Sequence, residues 1–217
     1  MGVFLKKKIG NNISLGIWLI ENPIDWYLSN KNIDKEVIKR ARGIKNTQKS
    51  LQVLSVHLLI KELIRQRRTK LQLCYYESGK PYFRGFEYKI SISHSKEMVA
   101  VILSGEKEPG IDIEKITSRI ERISGKFMTE LELHTAGCFD NNRKLEYMHL
   151  IWGAKEAMYK LYGDGSLEFK TNLLVKPFNF KREGEFKGLI KKENFSQEVS
   201  GYYEKINEYM LVFVTGD

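Results

Sequence analysis

Apolar and polar positions alternate in blocks whose period changes along the chain. Ile13 to Ile20 is short, β-branched and apolar and predicts a strand. From Thr47 to Ile64, Leu51, Leu54, Leu58, Leu59 and Leu63 recur at helical spacing, with Thr47 placed to cap. Leu71 to Tyr76 and Tyr82 to Phe83 flank a Ser78-Gly79-Lys80-Pro81 turn, the pattern of a hairpin. Tyr88 to Ser93 and Met98 to Leu103 predict two strands joined by a polar loop, His94 to Glu97, and Gly110 to Glu114 predicts another after Pro109. Ile120 to Thr135 reads as helix, and Leu145 to Tyr162 is the clearest helix, stopped by Gly163. Four apolar-rich segments follow, near Leu167 to Val175, Phe186 to Ile190, Glu198 to Tyr203 and Tyr209 to Val214, as in a strand meander. Strands and a long helix thus occur on both sides of about residue 105, which predicts an α+β chain of two lobes, 1–105 and 106–217.

Composition excludes several classes. With 42% apolar and 29% charged residues in 217, and no low-complexity tract, the chain has the profile of a folded domain. No apolar run approaches the roughly 20 residues of a membrane helix, so no membrane association is expected. Two cysteines, Cys74 and Cys138, form neither a disulfide framework nor a C-x-x-C ligand pair and fit a reducing cytoplasm. Lys6 to Lys8 ahead of an apolar stretch imitates a signal peptide, but Asn11 and Asn12 interrupt it and no small-residue cleavage site follows, so secretion is not expected. The net charge of +9 is concentrated: residues 1–70 carry fifteen Lys or Arg against five Asp or Glu, which leaves −1 for residues 71–217. Such a field favours anionic partners without choosing among nucleic acid, a phosphorylated small molecule and an acidic protein.

Three clusters carry candidate chemistry. In Gly110-Ile111-Asp112-Ile113-Glu114, strand alternation puts Asp112 and Glu114 on one face and the isoleucines on the other. Two carboxylates about 7 Å apart repel unless solvated, paired or bound to a cation such as Mg²⁺ or Ca²⁺, although a surface strand with polar alternation gives the same pattern. In Trp152-Gly153-Ala154-Lys155-Glu156-Ala157-Met158-Tyr159-Lys160, Trp152, Glu156 and Lys160 follow at i, i+4 and i+8, beside an apolar stripe of Ile151, Ala154, Met158 and Leu161. The Glu156 and Lys160 pair alone is equally a surface ion pair. Ser91-Ile92-Ser93-His94-Ser95 ends a strand with a lone histidine.

Taken in this order, and with Gly79-Lys80-Pro81 ahead of them, the clusters resemble the 4′-phosphopantetheinyl transferase superfamily, in its long two-lobed type that activates peptide and polyketide synthetases. The resemblance spans roughly residues 50 to 180 and rests on the joint presence of G-I-D-I-E and W-x-x-K-E-x-x-x-K. It implies two similar α/β lobes related by a pseudo-twofold, a coenzyme A cleft between them and a monomer. It also implies transfer of the phosphopantetheine arm of coenzyme A to a serine of an apo acyl or peptidyl carrier protein, releasing adenosine 3′,5′-bisphosphate, in fatty acid, polyketide or nonribosomal peptide synthesis. By resemblance Asp112, Glu114 and Glu156 hold Mg²⁺, and Lys160 contacts the pyrophosphate. Lys155 assists or contacts the arm, Ser93 and His94 meet coenzyme A phosphates, Lys80 and Pro81 border the adenine, and Trp152 orients its helix. The base that takes the serine proton is Glu156 or a water on the metal. Lys49 and His57 stand where related sequences often carry arginines for the 3′-phosphate, and Lys45 is a further cation nearby; lysine lacks the arginine fork, and histidine is only partly charged near pH 7.

Two other readings remain. One is a protein of the same fold that binds coenzyme A without transferring it, against which all three acidic positions speak. The other is a basic nucleic-acid-binding domain, for which no recognised motif is present. Serine hydrolase and Zn²⁺ chemistry lack their sequence signatures.

Overall fold

The computed structural model describes residues 2–10, 12–64 and 72–216. In chain order the elements are β1 (Val3–Ile9), β2 (Ile13–Leu19), α1 (Ile24–Leu28), α2 (Lys35–Arg42), α3 (Thr47–Ile64), β3 (Gln72–Tyr75), β4 (Pro81–Arg84), β5 (Lys89–Ser95), β6 (Met98–Ser104), β7 (Pro109–Lys115), α4 (Ile120–Phe127), α5 (Glu130–Gly137), α6 (Asn141–Tyr162), α7 (Phe169–Asn172), β8 (Leu173–Val175), β9 (Glu183–Lys192), β10 (Phe195–Ile206) and β11 (Tyr209–Gly216). The architecture is α+β, as expected. A four-stranded sheet has the order β1-β2-β6-β5, a five-stranded sheet the order β7-β11-β10-β9-β8, and β3 pairs with β4 as a separate hairpin. All pairings are antiparallel.

Alternation on the strands sorts three apolar cores. Leu15, Ile17, Met98, Ala100 and Ile102 of the first sheet meet Ile111, Ile113, Leu211 and Phe213 of the second in a layer between them. The opposite face of the first sheet, with Trp18, Val99, Val101 and Leu103, packs against Leu54, Leu58, Leu59 and Leu63 of α3. The opposite face of the second, with Met210, Val212 and Val214, packs against Leu150, Ile151, Ala154, Ala157 and Met158 of α6. The order of layers is therefore α3, sheet, sheet, α6. β6 is buried on both faces, which explains its uninterrupted apolar run.

Local chemistry sets the element ends. Asp140 accepts the Arg143 N–H and starts α6 four residues earlier than its apolar period alone indicates. Gly163, at φ 79°, ends that helix in the left-handed region. Asn46, not Thr47, caps α3, since its Oδ1 accepts the Lys49 N–H at 3.0 Å. The stretch read as one helix from Ile120 to Thr135 is two, because Thr129 and Glu132 form a capping box that begins α5 anew. The loop read at His94 to Glu97 is shorter: His94 and Ser95 belong to β5, and only Lys96, at φ 52°, and Glu97 make the turn. The β3–β4 hairpin closes as read, with Gly79 at φ 83° and the Tyr76 N–H donating to the Lys80 carbonyl at 3.0 Å; Leu71, assigned to its first strand, lies outside the described residues. The segment Leu167 to Val175, read as strand, is helix over α7 and strand only over β8; the strand β1 and the short helices α1 and α2 were not foreseen.

Candidate functional site

The edge strands of the two sheets, β5 and β7, lie side by side, and serine hydroxyls join them. Ser91 Oγ accepts the Ile111 N–H at 3.1 Å, Ser93 Oγ donates to Asp112 Oδ1 at 2.7 Å, Ser95 Oγ donates to Glu114 Oε2 at 2.8 Å, and Ser95 Oγ accepts the Lys115 N–H at 3.2 Å. The period-2 placement of serine in Ser91-Ile92-Ser93-His94-Ser95 is what puts all three on the seam. Ile111 and Ile113 point into the layer between the sheets. Asp112 and Glu114 therefore face the other way, toward α6.

α6 comes unusually close at this point. A side chain at Gly110 would meet the Ala157 carbonyl, and one at Gly153 would meet Val212 with Asp112 Oδ2 nearby, so two glycines let helix and strand approach. That approach brings Glu156 and Lys160 onto the carboxylates. Lys160 Nζ donates to Asp112 Oδ1 at 2.8 Å, to Ser93 Oγ at 3.1 Å and to the Ile111 carbonyl at 3.0 Å. Burial pushes the Glu156 carboxyl up to about 7, and the charges of Asp112 and Glu114 push it the same way. Burial also raises Glu114, with the Asp112 charge adding to it and the Ser95 hydrogen bond opposing it. The three acids thus share one electrostatic environment.

Among the described residues no group of three or more His, Cys, Asp or Glu side chains stands in ready ligand geometry for a metal ion. The donor set is nonetheless suited to a hard cation. Asp112 is 3% exposed and its Oδ2 has no hydrogen-bond partner, an expensive state for a buried carboxylate oxygen that a cation would relieve.

A large cavity, about 1410 Å³, adjoins the seam on the side of the first sheet. Lys31, Lys35, Arg40, Lys49, Arg84 and His94 line it, together with Gly79 and Pro81 of the hairpin. Burial lowers the His94 pKa, and the charges of Lys160, Asp112 and Lys49 all act on it, so His94 stands between the cavity and the acidic cluster. Lys31, Lys35, Arg40 and Arg84 were not singled out from the sequence. Their only signal there was the charge excess before residue 70, and Arg84 lacks even that.

Two expectations, for Lys155 and for the charge of His57, are corrected. Lys155 does not face the site: it is fully buried, and its ammonium donates to the Phe127 carbonyl at 2.7 Å and to Glu132 Oε2 at 2.9 Å. The Lys80 ammonium ties the hairpin to the end of α6, through the Leu161 carbonyl at 2.8 Å and Glu108 at 3.0 Å, while Gly79 and Pro81 of the same hairpin line the cavity. His57 lines the cavity but is no partial cation. Burial lowers its pKa to about 4 against the opposing pull of Asp34, and its Nε2 accepts the Asp34 N–H at 3.3 Å. Trp152 packs edge-on to Phe127 at 5.0 Å and against Phe169, as expected of an orienting residue.

The His57 environment has a measurable consequence. Between pH 6.5 and 4 the unfolded chain binds a proton at this residue that the folded chain refuses, so His57 lowers stability as pH falls through that window, by up to about 3 kcal/mol. Thermal midpoints should therefore fall less steeply from pH 7 to pH 4 in His57→Gln than in the parent. Equal slopes would place the histidine in water.

Comparison with known proteins bears on the second sheet and its surroundings. The model of the 4′-phosphopantetheinyl transferase superfamily matches residues 108–214, which contain β7, α6 and all three acids. The chain is 37% identical over 75 residues to a holo-[acyl-carrier-protein] synthase of Lactococcus lactis subsp. lactis (strain IL1403), covering 30% of this chain and 63% of that one. It is 35% identical over 82 residues to the holo-[acyl-carrier-protein] synthase of Lactococcus lactis subsp. cremoris (strain SK11), covering 34% of this chain and 69% of that one. The chain thus spans somewhat under two thirds of the first relative's length and slightly more than two thirds of the second's. By sequence, the chain belongs to the 4′-phosphopantetheinyl transferase superfamily.

Proposed function

We propose that this protein is a holo-[carrier-protein] synthase, which moves the 4′-phosphopantetheine arm of coenzyme A to a serine of an apo carrier protein and releases adenosine 3′,5′-bisphosphate. The observation that carries the reading is the convergence of Asp112, Glu114, Glu156 and Lys160 at the seam between the sheets, next to a basic cavity. Two lobes, 1–105 and 106–217, then contribute the nucleotide-binding cavity and the acidic cluster respectively. The two Lactococcus lactis relatives are holo-[acyl-carrier-protein] synthases, which supports the same reaction class.

In this reading the nucleotide of coenzyme A occupies the cavity, its phosphates drawn by Lys31, Lys35, Arg40, Lys49 and Arg84. The diphosphate reaches the seam past His94. Asp112, Glu114 and Glu156 would hold Mg²⁺, which accepts few carboxylates and completes its shell with water and substrate phosphates. When bound, it supplies Lewis-acid stabilisation of charge on the diphosphate. The carrier serine oxygen attacks the β-phosphorus, forming one P–O bond while the bridging P–O bond breaks toward the α-phosphate. Lys160, anchored by Ser93 and the Ile111 carbonyl, stabilises the charge that develops on the leaving group. The serine proton leaves to a base, for which Glu156 is the side chain in place.

A soluble, monomeric enzyme of the cytoplasm with no nucleic-acid role completes the proposal; among the described residues no helix is long and apolar enough to cross a membrane. Intact-mass spectrometry of an apo carrier protein incubated with this protein, Mg²⁺ and coenzyme A should show the gain of one phosphopantetheine, abolished by chelator and by Glu156→Gln. Absence of any gain on acyl and peptidyl carriers alike, with coenzyme A bound, would overturn transfer and leave a binding protein.

A further inference from the structure

We propose that Lys155 is a positioning residue: it clamps the corner between α4 and α5 onto α6, and so holds Glu156 and Lys160 on the face that meets Asp112, without touching substrate itself. What the clamp serves rests on the transfer reading; the clamp itself does not.

Helix ends leave backbone groups without intrahelical partners, and where two helices meet at a buried corner these groups need partners from elsewhere. α4 ends at Phe127 and α5 begins after Thr129, with Met128 between them wholly buried. One lysine serves both ends. Lys155 Nζ donates to the Phe127 carbonyl, the last of α4, at 2.7 Å and to Glu132 Oε2 at 2.9 Å. That same carboxylate oxygen accepts the Thr129 N–H at 2.7 Å, while Thr129 Oγ1 accepts the Glu132 N–H. The charges also match the helix dipoles, with a cation at the C-terminus of α4 and a carboxylate in the first turn of α5. The Lys155 side chain is 0% exposed and that of Glu132 6%, so neither end of the pair meets solvent.

The clamp acts on the side of α6 away from the sheet. On the sheet side, Gly110 lies against the Ala157 carbonyl and Gly153 against Val212. On the corner side, Lys155 is bonded and Trp152 packs edge-on against Phe127. Glu156 follows Lys155 by one residue, or about 100° of helix rotation, and Lys160 lies one turn further along. With α6 held from both sides, the helix has no freedom to turn these two side chains off the carboxylate pair. A lysine contacting substrate phosphate would have to leave two buried hydrogen bonds and strand Glu132 charged in the interior.

The test separates the pair from the substrate. Lys155→Met leaves the Glu132 charge unpaired; Lys155→Met with Glu132→Gln removes that charge and keeps a residue able to complete the capping box. Hydrogen exchange at the amides of residues 127–132 and 153–160, thermal midpoints and coenzyme A affinity are measured on both variants and the parent, alongside transfer. For a clamp, the single variant should exchange faster at both segments, melt lower and lose about tenfold or more in kcat, with coenzyme A affinity within about twofold of the parent. The double variant is free of the stranded charge but still lacks the bond to the Phe127 carbonyl, so it should recover part of the midpoint while exchange at both segments stays faster and kcat lower than in the parent; full recovery of protection and kcat would reduce the pair to a balance of charge and overturn the clamp. A double variant that is folded and protected, yet as inactive as the single one or weakened for coenzyme A, would overturn the proposal and make Lys155 a substrate contact. If the single variant does not fold, the double variant decides alone. If the parent transfers nothing, the transfer reading fails by itself, and the clamp stands or falls on exchange and midpoint: unchanged exchange in the single variant removes it.

Discussion

Gly110→Ala is expected to destabilise the fold by at least about 3 kcal/mol, measured by urea unfolding, and to abolish transfer in the same step. A Cβ at this position would lie 1.9 Å from the Ala157 carbonyl oxygen. That obstacle is backbone, so no rotamer change relieves it, and β7 and α6 have to separate. Separation pulls Glu156 and Lys160 away from Asp112, so structure and activity fail together. Gly125 in α4 provides the contrast. Nothing lies within 4 Å of its hypothetical Cβ, and Gly125→Ala should stabilise by about 0.5–1 kcal/mol through helix propensity. If both substitutions were equally mild, the close approach of strand and helix would not be what the first glycine provides.

Asp112→Asn is expected to lower transfer about 10³-fold, with the thermal midpoint close to the parent's. Asparagine keeps the shape and an oxygen that can accept the Ser93 hydroxyl, so the seam survives. It loses the charge that receives the Lys160 ammonium at 2.8 Å, and it replaces the buried, unpartnered Oδ2. A titration with Mn²⁺ should show weaker binding in the same variant, a readout independent of turnover. Transfer at the parent's rate would take Asp112 out of the reaction altogether.

The sequence made the two long helices legible because their apolar period persists over many turns, and because Gly163 can only end α6. Most strands of both sheets were legible as short apolar or alternating runs between turn residues; β8 was blurred with the helix before it, and β1 was missed. There Lys6 to Lys8 hide an edge strand whose side chains are alternately half-buried and exposed, and charge on an edge is a device against pairing with other chains. The helices α1 and α2 carry too few turns for a period to be recognised. At the site, strand alternation puts Asp112 and Glu114 on one face and helical spacing aligns Glu156 with Lys160, whereas Ser93 and His94 enter only through the family resemblance. Lys155 was misplaced because a period gives the face of a helix but not what packs on it. Its partner Glu132 lies in a helix whose start depends on a capping box. The cavity cations Lys31, Lys35 and Arg40 lie on or near α2, and only the tertiary fold brings them beside Lys49 and His94.

The pairing of β7 with β11 also governs the order in which the molecule acquires its site. Asp112 and Glu114 stand on β7, whose sheet partner is the last strand, with Asp112 opposite Val212 and Glu114 opposite Met210. The strands β9, β10 and β11 pair with their sequence neighbours and can zip together early. β7 must wait for a loop of about a hundred residues to close, a slow and entropically costly event. A nascent chain emerging from the ribosome therefore has both acids in hand long before it has the strand that supports them. Without β11, Asp112 and Glu114 stand on a strand that lacks its sheet neighbour.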